Sequence, residues 1–183
     1  MMLRTIRLDP SDTFVFPVAA EPGEWAVTGS FLFWGRDVDA LAGKERAAFR
    51  SGFAGIASLG FSTLVVAQPM RPGEHEAAVD ALARQLIDRL GAPDIDAARA
   101  AATEELAFAA SLADHDEGTL VAMHRTFEGG EIREQYRTLK PRERAAGADS
   151  LHAQARAFTF HEVVEDDAPD ERIDLIDMMT TRR

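Results

Sequence analysis

The stretch TLVAMHRTFEGGEIREQYRTL, Thr119 to Leu139, decides how the sheet is built. Two runs with strand-like alternation flank Gly129-Gly130. A two-residue type I′ turn needs positive φ at both central positions, which glycine adopts without steric cost. The pair therefore predicts an antiparallel hairpin of fixed register. On one face Phe127 opposes Ile132, Arg125 opposes Glu134 and Met123 opposes Tyr136. On the other, Thr126 opposes Arg133, His124 opposes Gln135 and Ala122 opposes Arg137. The first face is apolar apart from one ion pair and is expected to pack. The second gathers His124, Arg133, Gln135 and Arg137, and its guanidinium forks suit a carboxylate or phosphate. A solvated strand face of the same composition is the competing reading.

Helical periodicity precedes the hairpin. Val79, Leu82, Leu86, Ile87 and Leu90 mark a helix over 73–90 with Gly91 as its cap, and Asp94 opens an alanine-rich helix to about Ala113. So short a link predicts an antiparallel αα-hairpin. Upstream, Leu3–Leu8 alternates weakly, and Thr13–Phe16 reads as a short strand after the turn Asp9-Pro10-Ser11-Asp12. EWAVTGSFLFW, Glu24 to Trp34, reads as the strongest and most central strand, with Gly29 marking a bulge or a close backbone approach. Leu41–Ser58 reads as a helix weakened by glycines at its end, and Phe61–Ala67 as a buried strand closed by Pro69. After the hairpin come a polar linker over 140–150, a strand over Ala157–Val164 and an acidic segment. Strands, then helices, then strands predict an α+β fold: a largely antiparallel sheet packed by helices, including the αα-hairpin, with a C-terminal β-hairpin. One domain is expected over 1–164, with 165–183 as an acidic tail that is either disordered or docked on a partner.

The 183 residues lack cysteine, which excludes disulfides, thiolate-bound metal and a cysteine nucleophile. Net charge is −11, but Glu162 to Asp177 hold eight acids against Arg172, so seven of those charges belong to one short segment. An acidic chain argues against nucleic acid and anionic membrane surfaces as partners. The arginines over 133–144 soften the first of these exclusions. No apolar run approaches the ~20 residues of a membrane span, and Met1–Asp9 lacks the core of a signal peptide. A cytoplasmic protein is the expectation.

No G-x-S-x-G, G-x-x-x-x-G-K or G-x-G-x-x-G pattern is present, so no cofactor is predicted. Glu104, Phe108, Leu112 and His115 fall on one helical strip, but the two ligand types are about three turns apart and no metal site is predicted. Glu74-His75-Glu76 opens a helix, where acids suit the positive dipole end. His152 and His161 have no patterned partner. The aromatic stripe of 25–34, with Phe14 and Phe16, has the composition of a core or a buried dimer interface. Core is the first expectation; an exposed Trp25 or Trp34 would favour an association surface.

The segments LRTIRLDPSDTFVF (3–16), EWAVTGSF (24–31), FRSGFAGIASLGFSTLV (49–65) and HRTFEGGEIREQYRTLKPR (124–142) resemble a family of uncharacterised bacterial proteins of about this length. The resemblance transfers no catalytic residue. It implies an accessory role near the maturation of molybdenum or iron–sulfur enzymes. Two function classes follow. One is a non-catalytic interaction or assembly module that self-associates, as a homodimer, and offers acidic surface to a protein partner. The other is an enzyme or binder for a small anionic metabolite on His124, Arg133, Gln135 and Arg137. A cavity holding those four side chains would favour the second.

Overall fold

The computed structural model describes residues 1–141 and, as backbone, 161–166. The expectations for the linker beyond Pro141, His152, the first half of the strand over 157–164 and the chain after Asp166 lie outside the described residues. Among the described residues, two antiparallel sheets and four α-helices make an α+β fold. The larger sheet has the order β1 (Met2–Ile6), β5 (Leu64–Gln68), β6 (Leu120–Glu128), β7 (Glu131–Pro141), β8 (His161–Asp166). The smaller one pairs β2 (Ala26–Val27), β3 (Phe53–Gly55) and β4 (Phe61–Ser62). A bridge between Arg4 and Trp25 ties the two together.

The β6–β7 hairpin has the register expected of it at every pair from Ala122–Arg137 to Phe127–Ile132, and both turn glycines have positive φ. The helices α3 (Glu74–Leu90) and α4 (Ile95–Leu112) form the αα-hairpin. Gly91 ends α3 at φ 73°, which lets the Ala92 N–H reach the Leu86 carbonyl at 3.0 Å. The Asp94 carboxylate caps α4 by accepting from the Ala97 N–H at 2.8 Å. Ala98, Ala102, Leu106, Ala109 and Ala113 make one buried stripe, and their short side chains let α4 lie close to the sheet. Leu3, Val65, Val121 and Leu82 meet that stripe, each buried aliphatic contributing roughly 1.5–3 kcal/mol. A second cluster, Phe16, Phe33, Leu41, Ala48, Phe49 and Phe61, lies around α2 (Gly43–Ser51).

Four upstream expectations are corrected. Residues Ser11–Val15 form the short helix α1 rather than a strand. The Asp9 carboxylate accepts from the Ser11 N–H, and the buried Asp12 holds the Thr63 hydroxyl at 2.6 Å, so the turn chemistry starts a helix. The Glu24–Trp34 stretch is not a central strand. Only Ala26–Val27 pair, after which Gly29 turns left-handed at φ 78° and Ser30–Phe33 wind into a 3₁₀ turn. A Cβ on Gly29 would sit 2.6 Å from the Ala54 Cβ, so the close approach is real and the continuous strand is not. The helix expected over 41–58 is α2 (Gly43–Ser51); it stops at Gly52, and Phe53–Gly55 are strand. The strand over 61–67 breaks at Thr63 into β4 and β5, so the chain passes from one sheet to the other.

Gly29 and Gly23 offer a matched test, since both have positive φ but only Gly29 touches a neighbour. Alanine at Gly23 should cost about 1–2 kcal/mol for the left-handed backbone. Alanine at Gly29 should cost a further 1–3 or so for overpacking on Ala54, read from urea unfolding. Equal losses would mean that the Ala54 contact yields freely.

Candidate functional site

Arg125 is the most demanding residue on the inner face of the hairpin, because its guanidinium is fully buried. A buried cation survives only when its donors are met. Its Nε donates to Glu134 Oε1 at 2.8 Å, one Nη to the Phe49 carbonyl at 2.7 Å and the other to the Thr28 carbonyl at 2.7 Å. The Phe33 and Phe49 rings lie 5.5 and 5.7 Å from the guanidinium carbon. The Phe49 carbonyl belongs to the last turn of α2, the negative end of that helix. Tyr136 completes the network by donating its hydroxyl to Glu134 Oε2 at 2.5 Å. Burial first, and the Glu134 carboxylate second, push the Tyr136 hydroxyl above its ordinary value, so it stays a donor.

Beside this network opens a cavity of about 810 Å³. The hairpin supplies Phe127, Glu131, Ile132, Glu134 and Tyr136; the 3₁₀ turn and the loop after it supply Phe33, Trp34 and Arg36; α4 supplies Phe108. Trp34 is 77% exposed, and Phe108 and Phe127 are also exposed. The Phe108 and Tyr136 rings meet edge to face with centroids 6.1 Å apart. Trp25, by contrast, is half-buried under the Arg4 guanidinium at 3.4 Å. The aromatic stripe thus divides: Phe31 and Phe33 are core, while Trp34 stands in solvent.

Glu105, one turn before Phe108 on α4, has its Oε2 buried with no hydrogen-bond partner. Burial, and then the nearby Glu134 carboxylate, raise its pKa to about 7. Sequence reading missed this group, because nothing in an alanine-rich helix tells which of two adjacent glutamates turns inward.

The four residues expected as a ligand set do share the outer face. His124, Arg133 and Arg137 are exposed and Gln135 is half-buried. Arg50 of α2 brings an Nη within 3.4 Å of the His124 Nε2, and Arg133 pairs with Glu128 at 3.5 Å. None of the four lines the cavity, which lies on the opposite face of the hairpin. Helix α4 ends at Leu112, so the strip through Glu104 and Phe108 does not continue to His115 as helix. Among the described residues no three His, Asp or Glu side chains cluster as a metal site would require. Glu74 has a structural duty at the start of α3, accepting from the Arg71 N–H at 2.8 Å and pairing with Arg4.

Two predictions follow from the buried polar groups. Arg125→Met leaves Glu134 without its cation and removes the guanidinium donors from two carbonyls, and should cost about 3–5 kcal/mol in urea unfolding. Glu134→Gln keeps an acceptor for Arg125 and should cost less. For Glu105, the folded chain holds the proton to about pH 7, whereas an unfolded glutamate releases it near 4.5. Folding therefore takes up a proton between those values. The stabilisation is full below about 4.5 and is lost as pH rises through 7. Glu105→Gln should thus gain stability relative to wild type between pH 5 and pH 8. A pH-independent difference between the two proteins would refute the assignment.

The chain belongs to a family of unknown function, DUF6505, whose profile covers residues 1–157. No curated protein and no solved structure matches it. Among the described residues no helix is long and apolar enough to cross a membrane.

Proposed function

We propose that this protein is a non-catalytic interaction module that docks a partner protein at the aromatic mouth of the hairpin cavity. The exposure of Trp34, with Phe108 and Phe127 around the same opening, carries this reading. Single exposed apolar residues are ordinary, but large aromatics grouped around one concavity have the composition of an interface anchor site. Trp34 serves neither cluster of the core, so its retention in solvent asks for a contact outside the chain. The finer form of the reading is an accessory or assembly role in maturing a redox enzyme, which the family resemblance implies. A homodimer is the version in which the partner is a second copy.

A second reading, a binder of small anionic metabolites on the outer face, is favoured by one observation: Arg50 adds another cation beside His124. The two readings diverge at Trp34. Trp34→Ala should leave unfolding within about 0.5 kcal/mol of wild type, as for an exposed site. Captured from native lysate by the full chain, a specific partner should be lost with this variant and with Phe127→Ser. An unchanged set of captured proteins would remove the cavity mouth from the function and leave the outer face as the better reading.

A further inference from the structure

We infer that Glu105 is a protonation switch behind the aromatic wall of the cavity. Uncharged, it leaves Phe108 and Tyr136 packed on each other; ionised, it parts them and weakens docking at the mouth. This deepens the docking reading and rests on it for its consequence. Glu105 lies one turn before Phe108 on α4, so the two share a face of the helix. The Phe108 ring meets the Tyr136 ring edge to face, and both line the cavity. Whatever moves this turn of α4 therefore moves the wall.

The donors of the cluster are already committed. Glu105 Oε2 is buried without a hydrogen-bond partner. On β7, Tyr136 gives its one hydroxyl proton to Glu134. On β6, all three guanidinium nitrogens of Arg125 are engaged, by Glu134 and by the Phe49 and Thr28 carbonyls. The charges acting on Glu105 are those of Glu134, Arg125 and, on its own helix, Glu104. Among the described residues none of them comes from α3, β1 or β2, the other elements packed on α4. Arg125 is the single cation, and it is hydrogen-bonded to Glu134, so a second carboxylate leaves the cluster with excess negative charge. An ionised Glu105 has two ways out: it takes the Tyr136 hydroxyl from Glu134, or it swings toward water. The first releases the hydroxyl that pins the Tyr136 ring, and the second shifts the turn of α4 that carries Phe108. Burial first, and the Glu134 carboxylate second, put the transition near pH 7.

Tyr136 is the only tyrosine of the chain, so ring-labelled tyrosine gives the full-length protein one residue to follow by NMR. Between pH 6 and pH 8 its signal should shift with a midpoint near 7. Its cross-relaxation with the Phe108 ring should be strong at the lower pH and lost at the higher. Glu105→Gln, which cannot ionise, should keep the low-pH signal and the ring contact throughout. Glu104→Gln, on the exposed neighbour, should still switch. Trp34-dependent capture of proteins from native lysate should fall about ten-fold from pH 6 to pH 8, following the neutral fraction of a group that titrates near 7. It should stay level for Glu105→Gln. A Tyr136 signal that titrates equally in Glu105→Gln would overturn the switch, as would a ring contact that persists in wild type at pH 8; Trp34-dependent capture alongside either result would leave the docking reading intact. A wall that parts while Trp34-dependent capture is absent at both pH values would overturn the docking reading and leave the switch standing. Capture that ignores pH while the wall parts would overturn the control of docking by Glu105.

Discussion

A guanidinium with no water around it is the constraint on which this structure depends. Arg125 comes from β6, and its acceptors come from β7, from the last turn of α2 and from the backbone just before Gly29. Leaving any of these acceptors out would strand a donor in a low-dielectric interior, at a cost comparable to a large part of a domain's net stability. The hairpin, the helix and the small sheet are therefore held in one arrangement by a directional polar contact, where apolar packing alone would tolerate sliding. The Phe33 and Phe49 rings seal the guanidinium and join it to the second hydrophobic cluster.

The cavity follows from that arrangement. The hydrogen bond that the Thr28 carbonyl accepts from the arginine fixes the backbone entering the Gly29 turn, and the 3₁₀ turn after it sends Phe31 and Phe33 inward in different directions. Trp34 is then left at the outside, where the turn ends. On the opposite wall Glu134 is held by Arg125 and in turn holds Tyr136, so that ring is pinned by its hydroxyl. Preorganised aromatic walls lose little entropy on contact, which is what a docking surface requires. Glu105 lies behind this wall as a carboxyl without a partner, and its burial is tolerable because it can stay protonated near neutrality.

Local rules were enough for the hairpin and the helix pair. Period-two alternation around Gly129-Gly130 fixed which residues face each other, and a one-residue slip would have put Arg125 in solvent. The caps at Gly91 and Asp94 likewise rest on neighbours only. The stretch 24–34 was not legible, because Gly29 is set by Ala54, a residue 25 positions away. β-propensity there is genuine, but it yields to a tertiary contact. Thr13–Phe16 was too short for periodicity to decide between helix and strand. The candidate site divides on the same line. The outer polar set lies on adjacent strands of one hairpin and could be read from register. The cavity draws on residues 30–38, Phe108 and the hairpin together, and no spacing along the chain announces such a meeting.

One hairpin thus separates two surfaces of opposite character. Alternation sends Arg133 and Arg137 outward near His124 and Arg50, while it sends Phe127, Glu134 and Tyr136 toward the cavity. Net charge conceals this. Seven of the eleven negative charges sit in the segment from Glu162 to Asp177. The backbone of β8 pairs with that of β7, with Asp166 in register with Arg137. On the outer face Arg133 pairs with Glu128, the residue in register with Glu131. On the inner side Glu134 and Arg36 are paired within the chain, so what that face offers a partner is aromatic surface, Trp34 above all.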